Sequence, residues 1–122
     1  MFDDLLKITV KDERRYILVS LVGIIDNNTY LDFVKRCTPL VNKKNVIINF
    51  QELKYISSTG IGVLLKLTSL SKMKGYRVVI CALREPIIRI IKLIKMDKLF
   101  MIEESMEDAI DLINSDYKKK KK

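Results

Sequence analysis

The stretch Tyr55-Ile56-Ser57-Ser58-Thr59-Gly60-Ile61-Gly62-Val63-Leu64-Leu65 sets three hydroxyl residues and two glycines between an apolar segment on its N-terminal side and a longer one after it. Hydroxyls at such a junction accept hydrogen bonds from the free N–H groups of a first helical turn, so the pattern reads as a strand feeding a helix N-terminus. Before it, Asn45 to Phe50 carries Val46-Ile47-Ile48, which is too apolar for a half-exposed strand and suits a central one. A short connection through Leu53 and Tyr55-Ile56 then leads to the hydroxyls. After it, a helix from Gly60 to Lys74 closes at Gly75, and Tyr76 to Leu83 forms another strand around the run Val78-Val79-Ile80-Cys81-Ala82. Strand, helix and strand in this order imply a parallel pair.

Working outward, Leu5 to Val10 and Tyr16 to Val22 read as two strands rich in branched residues, joined by the charged turn Lys11-Asp12-Glu13-Arg14-Arg15. Gly23 ends the second strand. Asp26-Asn27-Asn28-Thr29 offers side chains to cap the next helix, which turns Tyr30, Phe33, Val34 and Cys37 inward and stops near Pro39. Toward the C-terminus, Pro86 opens a helix through Ile94 with Ile87, Ile90, Ile91 and Ile94 on one face, stopping near Lys95 to Asp97. Leu99 to Ile102 reads as a short final strand or extended segment. Ser105 caps a last helix, with Glu107 and Asp108 at its positive end and Ala109, Ile110, Leu112 and Ile113 facing the core. The fold class is therefore α/β: one domain over residues 1–117, a mixed four- or five-stranded sheet with about four helices packed on it.

Composition narrows the function. At 122 residues the chain can bury one core but not two of ordinary size. Its apolar runs fall short of the roughly 20 residues a membrane span needs. The acidic start Met1-Phe2-Asp3-Asp4 is unlike a signal peptide, which points to the cytoplasm. Cys37 and Cys81 are far apart and read as buried thiols, not a staple or a metal site. Lys118 to Lys122 supply five of the +8 net charges, so the basicity belongs mainly to a C-terminal tail over residues 118–122, expected to be disordered. Arg84, Arg89, Lys92, Lys95 and Lys98 come with no nucleic-acid reader motif, so direct nucleic-acid binding is not expected.

The hydroxyl segment is the one place where function concentrates. Capping alone explains Ser57, Ser58 and Thr59 structurally. Gly60 and Gly62 lack the lysine of a P-loop and the third glycine of a dinucleotide fingerprint, so no cofactor is implied. The chain has no histidine, no metal-ligand cluster and no paired nucleophile and base, which argues against an enzyme. The following helix is apolar nearly all round, with Ile61, Leu64, Leu65 and Thr68 on one side and Val63, Leu67 and Leu70 on the other. Either it is deeply buried, or one stripe is exposed for a partner.

The segment Tyr55 to Leu65 resembles the signature of STAS domains, specifically the bacterial anti-sigma-factor antagonists, whose pattern runs apolar, Asp-Ser-Ser/Thr-Gly-Leu/Ile-Gly, then an apolar helix. The likeness extends to Gly23-Ile24-Ile25-Asp26 after the second strand and to Val46 to Phe50. It departs at Ser57, where the family usually has Asp. The resemblance implies a STAS-like fold and an antagonist that binds an anti-sigma factor with serine kinase activity and so frees a sigma factor. It implies inactivation by phosphorylation at Ser58, with Ser57 and Thr59 as neighbouring acceptors, and reversal by a phosphatase acting on phospho-Ser58. The implied partner surface comprises Asp26, Ser57, Ser58, Thr59, Gly60, Ile61, Gly62, Val63 and Leu67. The family also contains non-enzymatic subunits of stress-signalling scaffolds and lipid-transport complexes, which is the alternative role, and homodimerisation stays open.

Overall fold

The computed structural model describes residues 5–121, with side chains through residue 115. The acidic Met1 to Asp4 segment and Lys122 lie outside the described residues, as do the side chains of the lysine run. The elements are β1 (Leu6–Asp12), β2 (Ile17–Ile25), α1 (Tyr30–Val41), β3 (Val46–Ile56), α2 (Ser58–Met73), β4 (Val78–Cys81), α3 (Glu85–Leu93), a 3₁₀ turn (Asp97–Leu99), β5 (Met101–Glu103) and α4 (Met106–Lys121). The strands lie in chain order, β1-β2-β3-β4-β5; β1 pairs antiparallel with β2 and every later pair is parallel.

Each of the three parallel connections crosses back through a helix, and α1, α2 and α3 share one face of the sheet. There Phe33, Cys37, Leu64, Leu67, Ile87 and Ile91 meet Val19, Leu21, Ile48, Phe50 and Ile80 in the larger core. On the opposite face α4 sets Ala109 and Ile113 against Ile47, Val79 and Cys81. The buried run Val46-Ile47-Ile48 follows from this arrangement, because β3 is covered on both sides. Burying each of these large side chains contributes about 1.5–3 kcal/mol.

Several boundaries differ from the sequence reading. Gly23 does not end β2; it takes φ +113, and the register with β3 slips beside it, so the strand bulges and continues to Ile25. A Cβ there would lie 2.2 Å from the Leu5 carbonyl oxygen, which instead accepts from Ile24 N–H at 2.7 Å. The anticipated connection after Phe50 is strand as well, since β3 runs on to Ile56 beside the extended β2. Helix α1 passes through Pro39 for two more residues; a proline so near the end removes one backbone bond, and buried Val41 holds the last turn to the core. Strand β4 stops at Cys81 because Ala82 turns left-handed, with φ +58. On α3 only Ile87 and Ile91 are buried, while Ile90 and Ile94 face outward. Ser105 caps α4 through a bond from Asp108 N–H at 3.1 Å.

Candidate functional site

Strands β2 and β3 end side by side, and the site grows from that register. Ile25 pairs with Ile56, and Ser57 N–H donates to the Ile25 carbonyl at 2.8 Å. Asp26 and Ser57 are therefore neighbours at the C-terminal edge of the parallel strands. Here Ser57 leaves the strand with φ −80 and ψ 169, an N-cap conformation, and its Oγ accepts from Gly60 N–H at 3.1 Å. Its carbonyl accepts the first helical bond, from Ile61 N–H at 2.9 Å.

The three hydroxyls thus divide. The Ser57 hydroxyl is committed to the cap. Ser58 and Thr59 stand in the first turn of α2, are exposed, and make no side-chain hydrogen bond among the described residues. No acidic side chain occupies that first turn, so the partial positive charge of the helix end is unopposed beside Ser58.

The two glycines divide as well. A Cβ on Gly60 would sit 2.7 Å from both Ile25 Cγ2 and Ile56 Cγ1, so glycine there lets α2 lie close on the ends of β2 and β3. Gly62 is exposed, with nothing among the described residues within 4 Å of where a Cβ would project. It leaves bare backbone next to Ser58 on the outer side of the helix.

Asp26 is half-buried, and its Oδ1 accepts from Asn28 N–H at 2.8 Å and Thr29 N–H at 3.2 Å, organising the turn into α1. Buried Thr29 supports it, donating to the Ile24 carbonyl and accepting from Asp26 N–H. Of the anticipated partner surface, the structure places Ser58, Thr59 and Gly62 in the open, Asp26, Ser57 and Val63 partly so, and Gly60, Ile61 and Leu67 inside the domain. Both apolar stripes of α2 are used internally, since Val63, Leu65 and Leu70 also pack on the larger core; its outward side is Gly62, Lys66, Ser69 and Met73. Two exposed apolar side chains at this edge went unread in the sequence, Tyr55 at the end of β3 and Leu31 in the first turn of α1. Tyr55 carried a signal, an aromatic two residues before the first hydroxyl; Leu31 carried none.

A family model for the STAS domain matches residues 7–109. Among solved structures, an anti-sigma factor antagonist from Mycobacterium paratuberculosis is 25% identical and superposes with a TM-score of 0.78, over 91% of this chain and 96% of that one. A Thermotoga maritima protein assigned as an anti-sigma factor antagonist gives 0.81 at 15% identity, covering 88% and 94%. The anti-sigma factor antagonist SpoIIAA in its unphosphorylated form gives 0.75 at 16% identity, covering 89% and 97%, and the Bacillus cell fate determinant SpoIIAA in the phosphorylated form also superposes.

Proposed function

Because the chain belongs to the STAS-domain family, we propose that it is an anti-sigma-factor antagonist switched at Ser58. Unphosphorylated, it binds a kinase-type anti-sigma factor in the cytoplasm through the open edge formed by Ser58, Thr59, Gly62 and the Asp26 turn, and a sigma factor is released. The observation that carries the reading is the division of hydroxyls: Ser57 is held by its cap, whereas Ser58 is exposed beside bare glycine backbone.

In the switching step the Ser58 oxygen takes the γ-phosphoryl group of ATP, ADP leaves, and the hydroxyl proton passes to a base on the kinase. The product adds about −1.5 to −2 charge at a helix end that tolerates it, so the fold survives. A partner surface shaped to a neutral hydroxyl and Gly62 meets a bulky dianion instead, and affinity falls. A phosphatase acting on phospho-Ser58 restores binding. This chain acts as substrate and ligand, not as the catalyst.

The test is to incubate the protein with the candidate anti-sigma kinase and ATP and locate the phosphate by mass spectrometry. Phosphate at Ser58 is expected; none between Ser57 and Thr59 would sink the switch. Ser58→Ala should block modification while keeping the complex, and Ser58→Glu should weaken it by roughly tenfold or more. Recovery of transporter or scaffold subunits from native cells with no anti-sigma factor would favour the other role known in the family.

A further inference from the structure

The end of the domain opposite Ser58 has a distinct surface. Every parallel strand begins there, and each crossover helix ends there, so the segments following α2 and α3 lie at one edge of the sheet. Its most exposed large apolar side chains are Met73 at 82%, Leu93 at 78%, Leu99 at 53% and Ile94 at 45%. Interleaved with them are the exposed Lys72, Lys74, Lys95 and Lys98, none in an ion pair among the described residues. Asp97 is the one acidic residue in the two segments 72–77 and 93–99. Between the segments opens a cleft of about 480 Å³ whose walls include Lys72, Tyr76, Lys98 and Leu99.

Lysines at helix C-termini have an ordinary explanation, since they complement the negative end of the helix dipole. That does not account for four large apolar side chains projecting into water at the same edge. Nucleic acid would use the cations and leave the apolar side chains idle. A surface that pairs protruding Leu, Ile and Met with ammonium groups matches the boundary of a bilayer carrying anionic headgroups, where the hydrocarbon enters the interface and the lysines meet lipid phosphates.

We propose that this edge docks on the surface of an anionic phospholipid bilayer. Leu93, Ile94 and Leu99 enter the interface, and Lys95 and Lys98 contact headgroups. Strand β3 separates this edge from Ser58 by its full 11 residues, a span on the order of 30 Å, so a docked molecule presents its hydroxyl edge away from the membrane. The docking is independent of the phosphorylation reading and survives its failure.

The experiment is co-sedimentation of the full chain with vesicles of phosphatidylcholine alone and of phosphatidylcholine mixed with phosphatidylglycerol. Binding to the anionic vesicles is expected. Leu93→Asp should weaken it by about tenfold or more, as should Lys95→Glu with Lys98→Glu. All three positions are exposed, and far-UV circular dichroism checks that the variants fold. Three outcomes overturn the proposal: no enrichment on anionic over neutral vesicles; binding unchanged in both variants but lost when Lys118 to Lys122 are all replaced by Gln, which assigns it to the tail; or tight duplex-DNA binding that tracks Lys95→Glu/Lys98→Glu while Leu93→Asp leaves vesicle binding intact.

Discussion

Ser57 and Ser58 are chemically identical neighbours with opposite surroundings, and substitutions should separate them. Removing the cap with Ser57→Ala should cost about 1 kcal/mol in urea unfolding, whereas Ser58→Ala should stay within about 0.5 kcal/mol of wild type. Ser57→Asp should keep the cap and add a favourable charge at the helix end. The same scale holds two local costs. Lys95 sits at φ +62, just past the end of α3, with Met96 N–H bonded to the Ile91 carbonyl and Lys95 N–H to the Lys92 carbonyl. That position favours glycine, as the end of α2 shows, where Gly75 takes φ +83 and makes the same pair of bonds. Lys95→Gly should therefore stabilise by up to about 1 kcal/mol, read as a raised urea midpoint. Ser71 Oγ is buried on α2 without a hydrogen-bond partner among the described residues, so Ser71→Ala should also be stabilising or neutral.

Among the elements, α2 carries the site, and its two glycines make opposite demands. Gly60→Ala would push a methyl against Ile25 and Ile56 and should destabilise by about 1–3 kcal/mol, as overpacking does. Gly62→Ala meets open space within a helix and should stabilise by up to about 1 kcal/mol. Equal effects in equilibrium unfolding would contradict the close approach of α2 to the ends of β2 and β3. Strand β3 matters just as much, because its continuation to Ile56 sets the cap directly against Ile25 instead of on a free connection.

For the molecule as a whole, two thiols report on integrity. Cys37 and Cys81 are free and buried on opposite faces of the sheet. Burial pushes the Cys37 thiol up to about 12 and the Cys81 thiol up to about 11, so neither supplies thiolate at neutral pH in the native state. Reaction with a thiol reagent should be slow in native buffer, and both groups should react in a single phase that follows global unfolding in urea. Fast labelling of one thiol would reveal local opening of α1 or β4. Among the described residues no helix is long and apolar enough to cross a membrane.

Strand and helix order were legible in the residues because the periodicities were strong: Val46-Ile47-Ile48 announced a doubly covered strand, Gly75 a helix end, and the hydroxyls a helix start. The local pattern around Ser58 showed only a capped helix start; its functional reading came from the resemblance to STAS domains. What local pattern does not contain is direction and company. The alternation along α3 put Ile90 and Ile94 with Ile87 and Ile91, yet the core admits only the latter two, a choice made by packing and not by the helix's own pattern. Likewise three adjacent hydroxyls look alike in sequence, and only the register of Ile25 with Ile56, a contact across thirty-one positions of chain, turns Ser57 into the cap and leaves Ser58 exposed.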